Sequence, residues 1–119
     1  MNRDMDLARN ILLQIEAAPY NEVHLDLCGR NPDEIAYHVM LLAEAGLIEA
    51  LDASGMGDFQ WIPQRLTWEG HEFLDAARSE TVWNRAKDLL KEKGGGTAFE
   101  VLKALLIQLA KQAVLGGLP

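Results

Sequence analysis

The chain has 119 residues, of which 49% are hydrophobic and 24% charged, and it carries a formal net charge of −7. This length predicts one domain, or one domain with an oligomerisation helix, and the composition excludes a disordered chain. The acidic balance disfavours a general nucleic-acid binder, and no run is long and apolar enough to predict a membrane span. Because the N-terminus is polar and Cys28 is the single cysteine, we expect a cytoplasmic protein without disulfides.

The first predicted element is a helix over residues 4–18, which Pro19 ends. Its buried stripe consists of apolar residues at helical spacing, namely Leu7, Ile11, Ile15 and Ala18. Residues 22–28 then alternate between polar and apolar side chains, which predicts a strand with one buried face. We expect this strand to join the two later strands in a small antiparallel sheet.

The strongest helix start in the chain is Asn31-Pro32-Asp33-Glu34. Asparagine caps helices, proline suits the first helical position, and acids suit the positive end of the helix dipole. The pattern predicts a helix to Ala45, with Gly46 as a left-handed C-terminal cap. Its buried face is formed by Ile35, Val39 and Leu42.

Two short strands are predicted after this helix. Residues 47–51 form the first, residues 52–58 have the composition of a turn-forming loop, and residues 59–62 return as the partner strand, which Pro63 either ends or marks as an edge strand. Helix, strand, loop and strand in this order predict a winged-helix-like domain. A separate second helix, expected before Asn31 in such a domain, is either a single turn or absent here.

The C-terminal part of the chain is helical by pattern. Thr67 predicts the start of a helix, and a break near Ser79 allows Ser79 or Thr81 to cap a second one that ends near residue 93. The first of these helices packs through Phe73, Leu74 and Ala77. We predict a winged-helix-like domain over residues 1–78 and a C-terminal helical extension over residues 79–119.

A last helix is predicted after the glycine hinge at residues 94–96. Thr97 to Glu100 is a capping box, and the helix it opens runs to about Leu115. One stripe of this helix carries Phe99, Leu102, Leu106, Leu109 and Ala113. So apolar a helix must bury most of its circumference, on its own domain or on a partner subunit. We expect self-association and a homo-oligomer, because the hinge lets the helix reach away.

Four stretches of the sequence together resemble one family. They are residues 2–7, the Ala-Tyr-His run at 36–38, the Ala-Gly-Leu-Ile turn at 45–48, and Leu-Thr-Trp-Glu-Gly-His-Glu-Phe-Leu-Asp at 66–75. The family consists of small bacterial and prophage proteins known as a domain of unknown function, and the resemblance spans nearly the whole chain. It implies a winged-helix-like fold and a regulatory or accessory role. It implies no catalytic residues.

No catalytic or metal-binding arrangement is visible in the sequence. The acids that cap the second helix are solvated, which is the wrong setting for a general acid. His24 and Cys28 fall on opposite faces of the predicted strand and turn, whereas a zinc site needs three or four converging ligands. We interpret His38 and His71 as packing residues, and we expect no enzymatic activity, no metal and no cofactor.

Charge on the outer face of the predicted second helix separates two classes of function. A DNA-recognition helix presents basic and amide side chains, but residues 31–58 contain no lysine or arginine. We predict that this face is a patch for a basic protein partner, formed by Asp33, Tyr37, Met40, Leu41 and Glu44. The alternative is that Tyr37, Met40 and Leu41 pack inside the monomer and form no contact patch.

The other class is a DNA-binding transcription regulator of winged-helix type. It would need a basic surface away from the acidic helix, for which the candidates are Arg30, Arg65, Arg78, Arg85 and Lys87. These residues flank the predicted reading head without lying on it. Nucleic acid is therefore the disfavoured partner, although fold analogy alone would favour it.

Overall fold

The computed structural model describes residues 3–20, 22–27, 29–92 and 102–109. The elements, in chain order, are α1 (Met5–Ala17), α2 (Pro32–Glu44), β1 (Ile48–Asp52), β2 (Trp61–Leu66), α3 (Trp68–Ala77) and α4 (Glu80–Glu92). Residues 102–109 are also helical. The predicted class, mainly α with a small antiparallel sheet, is confirmed. The predicted hinge at residues 94–96 and the predicted cap at Thr97 lie outside the described residues.

The chain divides into two compact units, residues 1–71 and 72–119. The first unit holds α1, α2 and the β1–β2 hairpin, and the division falls inside α3. The sequence places a domain boundary after Arg78 instead, and that boundary stays a prediction.

The starts of α1 and α2 follow from their capping residues. The Asp4 carboxylate accepts the backbone N–H of Leu7 at 3.1 Å, and the Asn31 side chain accepts that of Asp33 at 2.8 Å. Each cap satisfies a donor that the first helical turn leaves without a partner. Both predicted starts are confirmed to within one residue.

The end of α2 is a Schellman motif built on Gly46. Gly46 has φ of +78°, its N–H donates to the Ala43 carbonyl at 3.0 Å, and the Leu47 N–H donates to the Leu42 carbonyl at 3.0 Å. Glycine is favoured at this position because a left-handed backbone strains residues with a Cβ. The turn confirms the predicted cap and directs the chain into β1.

The core of the first unit lies between α1, α2 and the hairpin. Helix α1 contacts α2 and β2, and α2 contacts both strands. Burying a large apolar side chain contributes roughly 1.5–3 kcal/mol, so this layer supplies most of the unit's stability. Its buried apolar members include Leu7, Ile11, Leu12, Ile15, Val39, Leu42, Leu47, Ile48 and Leu66.

The hairpin pairs β1 with β2 in antiparallel register, from Ile48 opposite Leu66 to Asp52 opposite Trp61. A bulge lies between Glu49 and Ala50, and Pro63 stands opposite Ala50 inside β2. Of the two roles predicted for Pro63, ending the strand is wrong, because β2 continues to Leu66, whereas marking an edge is confirmed, because among the described residues β2 pairs with β1 alone. Proline is tolerated in strands beside a bulge or at an edge, where a ladder donor is not required.

The predicted strand at residues 22–28 is wrong. Residues 22–27 do not form a strand, although Val23, Leu25 and Leu27 are each half-buried and alternate with exposed residues. The side-chain amide of Gln14 forms two hydrogen bonds with the backbone of Asp26: it donates to the Asp26 carbonyl at 2.9 Å and accepts the Asp26 N–H at 2.7 Å. One side chain thus takes the place of a neighbouring strand at Asp26.

The junction between β2 and α3 explains the motif at residues 66–75. The Thr67 backbone N–H donates to the Leu47 carbonyl at 2.9 Å. The Thr67 hydroxyl donates to the Gly46 carbonyl and accepts the Gly70 N–H at 3.1 Å. Thr67 therefore caps α3, as predicted, and also ties it to the turn after α2. Gly70 is buried against that turn, and a Cβ here would overlap the Leu47 carbonyl oxygen.

The second unit is organised around aromatic and aliphatic side chains. Phe73 and Trp83 meet edge to face with ring centroids 6.5 Å apart, and both are buried. The Ser79 hydroxyl accepts the Val82 N–H at 3.3 Å and caps α4, which selects Ser79 of the two predicted caps.

The predicted self-association stripe is only partly within the described residues. Leu102 and Leu106 are buried in the isolated chain, and Leu109 is half-buried. Phe99 and Ala113 lie outside the described residues. The chain itself therefore covers two positions that were predicted to contact a second copy.

Candidate protein-docking site

A groove of about 580 Å³ lies between the hairpin and the start of α2. Asp33 and Asp58 are the acidic residues of its lining, and Phe59 and Trp61 are the aromatic ones. Leu25 adds an apolar contact from the segment after α1. The rest of the lining comes from Pro32, Ile35, Ala36, Gly57 and Gln60.

The two carboxylates of the groove are not neutralised. The lining contains no lysine, arginine or histidine, and neither Asp33 nor Asp58 forms an ion pair with another described residue. Asp33 also lies in the first turn of α2, where the helix dipole stabilises its negative charge. The groove therefore combines negative charge with aromatic surface.

The hairpin side of the groove is held by hydrogen bonds within its loop. The Asp58 N–H donates to the Gly55 carbonyl at 2.7 Å, and the Gln60 N–H donates to the Ser54 hydroxyl at 2.9 Å. The Ser54 backbone N–H donates to the Asp52 carboxylate and lowers the pKa of that group. Positive φ at Met56 and Gly57 completes the tight turn. The loop thus has a defined shape before any partner binds.

The predicted patch on α2 is only partly exposed. Asp33 and Glu44 are exposed, whereas Tyr37, Met40 and Leu41 are half-buried. Asp33 belongs both to this patch and to the groove, and the other four do not line the groove. The structure therefore adds the hairpin to the site that the sequence placed on the helix alone.

The hairpin residues are what sequence reasoning missed. Leu51 and Ile62 stand opposite each other in the ladder and are 54% and 42% exposed, and Met56 at the tip is fully exposed. Phe59, on the groove, is 38% exposed. The sequence did contain a signal for Leu51: it lies two residues after Glu49 and therefore shares the exposed face of the strand, opposite to the buried Ile48.

The cations proposed for DNA binding are largely engaged with carboxylates. Arg30 pairs with Asp4 at 3.0 Å and with Glu34 at 2.7 Å, and these contacts raise the pKa of Arg30. In the same unit Arg65 pairs with Glu49 across the hairpin. Such neutralised guanidinium groups leave little net positive charge for phosphate.

The remaining cations of that set belong to the second unit. Arg78 pairs with Asp75 at 3.1 Å, and the Lys87 ammonium lies 5.9 Å from the centre of the Trp83 ring. Arg85 is exposed. The set is thus divided between the two units, with two members in the first and three in the second.

His38 is a structural residue, as predicted. It is 1% exposed, its Nε2 accepts the Asp4 N–H at 2.8 Å, and its Nδ1 lies 2.8 Å from the Glu34 carbonyl. Since a carbonyl only accepts, the proton lies on Nδ1. His71, in contrast, is exposed, so the interpretation of His71 as a packing residue at the edge of the core is wrong.

Neither a metal cluster nor a membrane span is found in the described part of the chain. No three histidine, cysteine or acidic side chains converge there, and no helix is long and apolar enough to cross a bilayer. Cys28, one half of the pair considered for zinc, lies outside the described residues.

Comparison with known proteins places the chain in a family. Residues 2–96 match the family model described as "Hypothetical protein (DUF2513)". The chain belongs to the DUF2513 family. An uncharacterized protein of Haemophilus influenzae is 36% identical over 115 residues, which cover 94% of this chain and 98% of that protein. No solved structure matches the chain. The predicted resemblance to a bacterial family of unknown function is thereby confirmed, and its winged-helix assignment stays a prediction.

Proposed function

We propose that this DUF2513 protein is a non-enzymatic module that binds a basic protein partner through the acidic face of α2 and the adjoining groove. The observation that carries the proposal is the uncompensated charge of this surface. Asp33, Glu44 and Asp58 carry negative charge and form no ion pair with a described residue, whereas Glu34 and Glu49 are paired with Arg30 and Arg65. Complementary charge steers association and excludes partners of the wrong sign.

Apolar surface beside these acids supports a protein partner over a small ion. Phe59 is 38% exposed on the groove, and Leu51 and Ile62 form an exposed pair on the hairpin, outside the lining of the groove. Aromatic side chains are enriched in the buried centres of protein interfaces, where a few residues supply most of the binding energy. An enzyme is not proposed, since no set of nucleophile, base and orienting group is found among the described residues.

A DNA-binding regulator is the competing proposal, and the ion pairs of Arg30 and Arg65 weigh against it. Fluorescence anisotropy of labelled mixed-sequence duplex DNA at low salt tests it directly. Non-specific DNA binders have dissociation constants of roughly 10⁻⁴ to 10⁻⁶ M at physiological salt, and tighter ones at low salt. DNA binding that weakens steeply with added salt would overturn the protein-docking proposal.

The positive test is a pull-down from bacterial lysate that compares the wild type with Glu44→Lys. Lysine at the C-terminal end of α2 is favoured by the helix dipole, so this change reverses charge without weakening the fold. The matched control is Asp88→Lys on α4, which makes the same change at an exposed position of the other unit. We expect a basic protein to be retained by the wild type and the control and lost by Glu44→Lys. Equal retention by all three would refute the proposal.

Self-association is proposed separately. Because Leu102 and Leu106 are already buried, Leu109 is the described position of the stripe at which a second copy has most surface to contact. Sedimentation velocity of the wild type and of Leu109→Glu tests this, with a dimer for the wild type and a folded monomer for the variant. A wild type that stays monomeric at high concentration would exclude it.

A further inference from the structure

We propose that the groove between the hairpin and α2 receives an arginine side chain of the partner, stacked on Phe59 and Trp61 and paired with Asp33 and Asp58. This inference rests on the proposed function and names the chemical group that the partner must present. The volume of the groove, about 580 Å³, falls within the roughly 300–1,000 Å³ that is usual for small-molecule sites.

The lining selects a cation over an anion or a neutral group. Two carboxylates without a counter-ion repel phosphate and acidic peptides, and an apolar ligand would leave both of them without a partner. The aromatic rings add to the same preference, because the face of a ring carries negative potential and attracts ammonium and guanidinium groups. Carboxylates and rings therefore act in the same direction.

A metal ion does not fit this set of groups. Calcium takes six to eight oxygen ligands and magnesium requires near-octahedral geometry, whereas the groove offers the carboxylates of Asp33 and Asp58. No third metal-ligating side chain converges with them among the described residues. An organic cation, which needs only one or two carboxylates and an aromatic surface, matches the lining better.

Arginine fits better than lysine. Its planar guanidinium stacks on an aromatic ring while its N–H groups reach carboxylates in the same plane, and it is more weakly hydrated than an ammonium group. The long aliphatic stem also matches the apolar part of the lining, Leu25 and Ile35.

The walls of the groove are fixed before a ligand arrives. Asn31 and Pro32 define the first turn of α2, and the Gln60 backbone is held by Ser54 and by the Ala53 N–H at 2.9 Å. A preformed site avoids the entropy cost of ordering a loop on binding. A single arginine should therefore give measurable binding even when it is removed from its protein context.

The test is a ¹H–¹⁵N NMR titration of the full chain with an acetylated, amidated hexapeptide that carries one arginine among alanines. We expect shift changes at the amides of Asp58 and Phe59 and at the Trp61 indole N–H, with saturation at millimolar peptide. The same peptide with citrulline in place of arginine keeps the shape and removes the charge, and it should cause none of these changes.

Two substitutions separate a built site from general acidic attraction. Asp58→Asn removes one charge from the groove, and Asp88→Asn removes one charge from α4. We expect up to about a fivefold weaker peptide affinity for Asp58→Asn and no change for Asp88→Asn, since an exposed charge contact is worth at most about that factor. Phe59→Ala should weaken binding to a similar extent through loss of the stacking surface.

Several outcomes would overturn the inference. These are shift changes spread over the whole acidic surface, equal weakening by Asp58→Asn and Asp88→Asn, equal binding of the citrulline peptide, or no response at millimolar peptide. Failure of the parent proposal has a different signature, because it is judged by Glu44→Lys in the lysate experiment. Glu44-dependent capture without an arginine response would remove the groove inference alone.

Discussion

Gly70→Ala tests whether the junction between β2 and α3 fixes the fold of the first unit. A Cβ at this position would overlap the Leu47 carbonyl oxygen and stand 3.0 Å from the carbonyl carbon. That carbonyl cannot move freely, since it accepts the Thr67 N–H at 2.9 Å. Relief therefore requires a shift of α3 or of the turn after α2.

The size of the effect follows from two opposing terms. Alanine is favoured over glycine in a helix interior by about 1 kcal/mol, and Gly70, in the first turn of α3, gains at most this amount. Overpacking of a buried site typically costs about 1–3 kcal/mol, and a clash with hydrogen-bonded main chain belongs at the upper end of this range. We expect Gly70→Ala to lower the free energy of unfolding by about 2 kcal/mol.

Urea denaturation followed by far-UV circular dichroism measures this change, with linear extrapolation to water. Gly55→Ala is the control, because a Cβ there meets no atom within 4 Å and the residue lacks a positive φ. It should change the unfolding free energy by less than about 0.5 kcal/mol. A Gly70→Ala variant as stable as the wild type would show that the junction is not tightly packed.

Three further perturbations address the first unit. His38→Ala removes a buried ring and leaves the Asp4 N–H without its acceptor, so urea denaturation should show a loss of about 2–3 kcal/mol. Gln14→Glu keeps an acceptor for the Asp26 N–H but sets a carboxylate against its carbonyl, so amide hydrogen exchange at Asp26 should accelerate, and more at pH 7 than at pH 4. Burial alone would raise the pKa of Asp4, but the Leu7 N–H and the Arg30 guanidinium hold it below 3.8. The stabilisation from the Asp4 carboxylate is therefore complete above the pKa of Asp4 in the unfolded chain and is lost as the pH falls through its pKa in the folded protein. Thermal melts of Asp4→Asn should accordingly show a smaller loss of stability at acid pH than the wild type.

Local signals in the sequence predicted the helices well. Asn31, Thr67 and Ser79 act within three residues of their own position, so their capping role can be read from the sequence alone. The role of Gly46 as the C-terminal cap of α2 could be predicted for the same reason, because a glycine directly after an amphipathic helix commonly adopts the left-handed conformation that ends it.

The errors arose where a distant residue decides the outcome. The alternation at residues 22–28 is that of a strand, yet the Gln14 amide, twelve residues away from Asp26, takes that residue's backbone groups. Proline can end a strand or mark an edge, and only the fold shows that the bulge beside Pro63 lets β2 continue past it. The groove could not be predicted either, because its lining comes from three separate stretches of the chain that only the fold brings together.

The most specific motif of the sequence is explained by folding. Thr67 and Gly70 fasten α3 to the turn after α2, and His38 fastens α2 to the start of α1. These contacts form the frame of the first unit, and a frame of this kind does not determine the partner that a protein binds. Function must be sought in residues that the frame does not need. Asp58 and Phe59 are such residues, since both are exposed and the Asp58 carboxylate forms no bond with any described residue, so changing them tests the docking surface without disturbing its support.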